Sequence, residues 1–147
     1  MSFGIEYKTV SMGVKNGLAA QRAYREQLGA RAKMVLAKAE KAGRTVVVLA
    51  GRPYHLDPLI NHGVPDLLTD LGVDVVSEYA VLAANDCTTL AEVNVLTQWS
   101  YANRLYAAAS WVNQNRNARM VQLTSFGCGP DAISCLLYTS PSPRDRG

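Results

Sequence analysis

TVVVLAGRPYHLDP, residues 45–58, is the stretch that decides the fold. Thr45-Val46-Val47-Val48-Leu49-Ala50 is a continuous apolar run rich in β-branched side chains. A strand with one wet face alternates apolar and polar residues. An unbroken run of this length fits a strand buried on both faces, as in a parallel sheet covered by helices. Gly51-Arg52-Pro53-Tyr54-His55-Leu56-Asp57-Pro58 then forms a loop at the carboxyl end of that strand.

Upstream, residues 12–42 read as one long helix. Leu28, Ala32, Val35, Leu36 and Ala39 recur at helical spacing and share one face. Gly43 stops the helix as a C′ residue, with Lys38 and Lys41 in the last turn at the negative end of the dipole. Downstream, Pro65 suits the first turn of a short helix with Leu67, Leu68 and Leu71 as its stripe, closed by Gly72. Val73 to Val76 is expected as a second strand. Residues 78–96 are expected to hold a loop around Asn85-Asp86-Cys87 and then irregular or helical structure. Residues 97–115 form a helix with Trp99, Ala102, Tyr106, Ala109 and Val112 on one stripe, and Met120 to Thr124 is a third strand.

Strand and helix alternating through short connections argue for an α/β, Rossmann-like three-layer domain with a parallel sheet. If the third strand adds on the far side of the first, as in doubly wound sheets, the first lies between the other two. The loops after Ala50 and after Thr124 then leave the sheet at one edge, at the switch point where such sheets bind ligands. Arg52, His55 and Cys128 are therefore expected to be neighbours.

Composition sets the limits. The chain has 147 residues, 48% hydrophobic and 18% charged, which fits one globular domain. Three cysteines do not make a disulfide scaffold. No apolar run nears the roughly 20 residues needed to span a bilayer, so no membrane partner is expected. The opening MSFGIEYKTV has no basic segment ahead of an apolar one, so no signal peptide is expected and the cytoplasm is the default location. Residues 1–44 carry nine Lys/Arg against three Asp/Glu, while the rest carries six against nine. The basic charges follow a helical pattern with few aromatics, which favours a solvated helix face, then contact with another part of a larger protein; no nucleic-acid partner is expected. From Cys135 the sequence runs CLLYTSPSPRDRG, without apolar periodicity. It resembles the translation of a sequencing-library adapter. Residues 1–134 are thus expected to be a fragment of a domain truncated at its C-terminus, and 135–147 a disordered tail foreign to it.

The two loops carry the candidate chemistry. Cys128 stands between Gly127 and Gly129, just past a strand, with Pro130 and Asp131 placed to open a helix. Glycines let a bulky ligand approach the backbone, and amides at a helix start favour the thiolate that binds metal or attacks an electrophile. Cysteine is equally a small buried hydrophobe. Cys87, in Asn-Asp-Cys-Thr-Thr, has less around it, and no CxxC occurs. Arg52 can hold a carboxylate or phosphate with its planar fork, and His55 can pair with a cysteine nucleophile. The same loop, with two prolines, Asp57 and Asn61, also reads as a rigid structural turn. His55 and His62 have no evident third strong metal ligand. No GxGxxG, GxxxxGK[ST] or GxSxG motif is present, so the usual phosphate cradles and the serine-hydrolase elbow are absent.

Three stretches carry a family resemblance: VVVLAGRPYHLDPLINHGVP (Val46–Pro65), QWSYANRLYAAA (Gln98–Ala109) and VQLTSFGCGPDAI (Val121–Ile133). Together they resemble the acyl-CoA dehydratase activase-related family, relatives of the 2-hydroxyacyl-CoA (including 2-hydroxyglutaryl-CoA) dehydratase subunits, over about residues 13–134. The resemblance implies ATP-driven, low-potential electron transfer through an iron–sulfur protein with Rossmann-like halves. It implies as partners an ATPase activase domain or subunit, where ATP binds, and a dehydratase-like domain. It implies Cys128 as an iron–sulfur ligand and, less directly, Cys87; Gly127, Gly129, Arg52 and His55, the candidate residues of the two loops, are expected around the cofactor. A 4Fe–4S type cluster would need ligands from outside the fragment, which alone is expected to be inactive. The alternative within the family is a non-catalytic α/β scaffold that docks the ATPase domains, with Cys128 merely packed.

Overall fold

A computed structural model of the chain describes residues 4–85, 99–125 and 127–129. The helix α1 spans Tyr7–Lys41, β1 spans Val46–Ala50, and a 3₁₀ turn covers Pro53–Leu56. They are followed by α2 (Val64–Asp70), β2 (Asp74–Ser77), α3 (Glu78–Ala84), α4 (Ser100–Gln114) and β3 (Ala118–Gln122). The three strands form one parallel sheet in the order β2-β1-β3. The fold is the α/β class expected, with the first strand in the centre.

All five residues of β1 are buried, as a central parallel strand requires. Val46 and Val48 join Val76 of β2, Val81 of α3, Ala108 and Trp111 of α4, Ala118 of β3 and Ala39 of α1 in one core cluster. Strands β2 and β3 flank β1 on opposite sides, so the chain passes from β2 back across β1 to reach β3. Arg44 ties the entry to β1 to the start of β2: its Nε and Nη2 donate to Oδ2 and Oδ1 of Asp74 at 2.7 and 3.0 Å.

The helix α1 is longer than its apolar pattern indicates. It begins at Tyr7, and its 35 residues extend roughly 52 Å at 1.5 Å per residue. Its carboxyl half buries Gly29, Ala32 and Ala39, with Leu28, Val35 and Leu36 packed beside them. From Tyr7 to Gln27 every residue but Ser11 is exposed, and Arg22, Arg25 and Glu26 line a cavity shared with the end of α3. Gly43 closes the helix with φ +63°, and its N–H donates to the Glu40 carbonyl.

Three elements differ from the sequence reading. Residues 78–84 are a helix, α3, capped by Ser77, whose Oγ accepts from the Ala80 N–H at 3.1 Å. Glu78-Tyr-Ala-Val-Leu-Ala-Ala is apolar nearly all round, so it shows no helical period; five of its seven residues are buried. Strand β3 starts two residues early, at Ala118, because pairing with Val46 recruits Ala118 and Arg119 whatever their polarity. Trp99 is not on the buried stripe of α4: it lies just before the helix and is 58% exposed. The expected loop at Asp86-Cys87, the helix start at Pro130 and the tail 135–147 lie outside the described residues.

Candidate functional site

The parallel register Ala50↔Gln122 sends the loops after β1 and β3 out of the sheet side by side, and Leu123 N–H extends the ladder to the Ala50 carbonyl at 2.7 Å. The structure brings Arg52, His55 and Cys128 together there. Nη2 of Arg52 donates to Sγ of Cys128 at 2.9 Å. The Arg52 backbone N–H donates to Nδ1 of His55 at 3.0 Å, and the His55 N–H donates back to the Arg52 carbonyl at 2.8 Å. With Nδ1 accepting, the neutral imidazole carries its proton on Nε2. A second bridge joins the loops through a hydrogen bond between the Tyr54 and Ser125 hydroxyls.

Local sequence explains this geometry. Pro53 opens the 3₁₀ turn that carries Tyr54 and His55. Gly51 is required at its base, because a Cβ there would lie 2.6 Å from Nδ1 of His55. Asp57 makes the Asx turn expected of it, its Oδ1 accepting from the Leu59 N–H at 2.8 Å. Buried Asn61 turns the chain into α2 by accepting from the Gly63 N–H at 2.9 Å. On the other loop Gly127 takes φ +77°, a conformation that favours glycine, and the Cys128 N–H donates to the Ser125 carbonyl at 3.1 Å. A Cβ at Gly127 or Gly129 would meet nothing within 4 Å. Cys128 is a free, half-buried thiol; Cys87 lies outside the described residues.

The sequence reading did not single out a second layer of side chains beside these loops. The Cζ of Arg52 lies 4.9 Å from the ring centroid of Tyr101, and the Cζ of Arg104 lies 5.5 Å from the same ring and 5.4 Å from that of Tyr79. Tyr101 thus meets two guanidiniums, each held by attraction to the π face. Glu78, the first residue after β2, is only 2% exposed. Burial pushes its carboxyl above the usual carboxylate range, against the opposing pulls of Arg104 and of the Glu78 and Tyr79 backbone N–H groups. Tyr101 and Arg104, three apart and so on one helix face, were the available sequence signal.

Chemically, the edge offers a thiol in contact with a guanidinium, an oriented imidazole, and a second guanidinium near a buried carboxyl. Among the described residues no group of three or more His, Cys, Asp or Glu side chains is placed to hold a metal ion. No helix among them is long and apolar enough to cross a membrane.

Neither curated proteins nor solved structures yield a match to the chain. Residues 1–81, which contain α1, β1, the Arg52–His55 turn, α2 and β2, match the model of one protein family. The chain belongs to that family, described as the CoA enzyme activase uncharacterised domain.

Proposed function

We propose that this chain is part of an ATP-dependent activase system serving CoA enzymes, and that it acts there in iron–sulfur electron transfer toward a 2-hydroxyacyl-CoA dehydratase-type component. The observation that carries the reading is the contact between Arg52 and Cys128 at the carboxyl edge of the sheet. Family membership supports the activase setting. It also supports the expectation of further components, an ATPase and a dehydratase-like partner.

The donor set sets a limit. Cys128 is the one free thiol among the described residues, and one thiolate is one corner of a four-thiolate cluster. These residues do not hold a cluster by themselves; its other ligands would come from elsewhere in the natural protein or from a partner. A bound cluster would supply one-electron chemistry. This chain's own contribution is the sulfur of Cys128, the open backbone of Gly127 and Gly129 around it, and the Arg52 N–H aimed at it. Hydrogen bonds to ligating sulfurs are among the features that set cluster potentials.

Anaerobic reconstitution of the natural full-length protein tests this reading. Cluster absorbance and a reduced-state EPR signal are expected, both weakened in Cys128→Ala. An unchanged cluster in that variant removes Cys128 from the ligand set.

A second reading, a non-catalytic scaffold that docks the ATPase domains, is favoured by one observation. The amino half of α1 exposes Tyr7, Val10, Val14, Leu18 and Tyr24 to solvent along one side. Such a helix face is suited to a neighbouring domain.

A further inference from the structure

Oε2 of Glu78 and Nε of Arg104 are both shielded from solvent, and neither has a hydrogen-bond partner among the described residues, the other included. Buried polar groups are nearly always paired, so two unpaired ones of opposite type in one neighbourhood need an explanation. Among the described residues Arg104 makes no salt bridge; it lies over the faces of Tyr79 and Tyr101 and attracts the Glu78 carboxyl without a hydrogen bond to it. Its Cζ lies 5.4 and 5.5 Å from the two ring centroids, contacts that occupy no N–H hydrogen bond. Glu78 is fixed, being 2% exposed at the junction of β2 and α3.

We propose that Glu78 and Arg104, with Arg52 across the Tyr101 ring, form a binding site for a phosphate group that keeps one acidic proton. The chemistry selects that class. Arg104 presents donors only, and so calls for an oxyanion. A Glu78 carboxylate is an acceptor only, and so calls for a donor. Hydrogen phosphate and phosphate monoesters in their monoanionic form satisfy both at once, since one P–OH donates while the other oxygens accept. Sulfate has the same shape and charge as dianionic phosphate but no proton to give at neutral or higher pH. A site ending in a carboxylate rejects it, because the buried acceptor is then left facing an oxyanion. The proposal uses neither Cys128 nor a cluster; it shares Arg52 with the electron-transfer reading, and its test rests on Glu78 and Arg104, which that reading does not use.

The test is a calorimetric titration of the full 147-residue chain at pH 8 in a phosphate-free buffer, with inorganic phosphate, sulfate and methyl phosphate as separate ligands. Saturable phosphate binding is expected, about tenfold or more tighter than sulfate binding, as loss of one hydrogen bond at a buried charge implies. Arg104→Gln should weaken phosphate binding about tenfold or more. Glu78→Gln, which can donate as well as accept, should bring sulfate to within a few-fold of phosphate. Methyl phosphate, dianionic and without a P–OH at this pH, should bind like sulfate. Circular dichroism confirms that each variant is folded. Equal affinity for phosphate and sulfate in the unmodified chain overturns the proposal. So do an Arg104→Gln variant that binds phosphate unchanged, or no saturable binding at all, which would leave water alone to bridge the two groups.

Discussion

Nη2 of Arg52 reaches Sγ of Cys128 at 2.9 Å although 76 residues separate them in the chain. Parallel pairing of β1 with β3 makes this contact, by delivering both loops to the same edge. Arg52 is also stacked on Tyr101 of α4. One side chain thereby connects the loop after β1, the loop after β3 and the helix between β2 and β3.

The close approach of α1 and α3 depends on Gly29. A Cβ at this position would lie 2.3 Å from the Ala83 carbonyl oxygen, a backbone atom that cannot swing aside. Gly29→Ala should therefore destabilise the fold by about 1–3 kcal/mol, the usual range for overpacking. Gly17→Ala, in open space on the same helix, should be neutral or stabilising by up to about 1 kcal/mol through helix propensity alone. Urea unfolding of both variants checks the contrast.

Gly51 sets the geometry of the candidate site rather than the core. In Gly51→Ala the new methyl meets Nδ1 and Cβ of His55, at 2.6 and 3.1 Å, so the imidazole must shift. The Arg52 N–H···Nδ1 bond should break, seen as a displaced Arg52 amide resonance and faster amide exchange. The amides of β1 and β2 should keep their protection.

The Arg44–Asp74 pair is bidentate but partly open to solvent, its side chains 37% and 21% exposed. Screening keeps its worth low despite the good geometry. A double-mutant cycle with Arg44→Ala and Asp74→Ala should give a coupling of about 0.5–1 kcal/mol. At 1 M salt the coupling should shrink.

Much of the architecture was legible because β1 is apolar without interruption and short connections join β2 to α2 and α3, and α4 to β3. That pattern leads to a central β1 and to neighbouring loops, and hence to Arg52 beside Cys128. α3 was not legible, since a short helix buried nearly all round has no polar face to set its period. The start of β3 at Ala118 was hidden for another reason: strand ends follow pairing with a neighbour, and Arg119 breaks the apolar run. Trp99 shows the reverse error, a large apolar residue whose spacing fits the stripe but which lies one position before α4. The Glu78–Arg104–Tyr79–Tyr101 group joins side chains of two helices, and only the Tyr101–Arg104 spacing hints at it in one dimension.

Glu78 should leave a pH signature in stability. Its folded carboxyl is held above the unfolded value, chiefly by burial, so the folded state binds more protons in the window between the two. The Glu78 contribution to stability is therefore present below the unfolded carboxylate range and is lost as pH rises through the folded value. Glu78→Gln removes this dependence. Relative to the unmodified chain, the variant should look better at pH 8 than at pH 4.5 in urea unfolding.

If Cys128 ligates a cluster, its sulfur is shielded from alkylation while the cluster is bound. The natural full-length protein, loaded anaerobically with iron and sulfide, would be treated with iodoacetamide before and after iron removal by a chelator, and Cys128 alkylation read by mass spectrometry. Slow alkylation of Cys128 is expected in the loaded protein, and rapid alkylation once iron is removed. Equal alkylation in both states would contradict cluster ligation by Cys128, and would leave Cys128 as a packed residue of a docking scaffold.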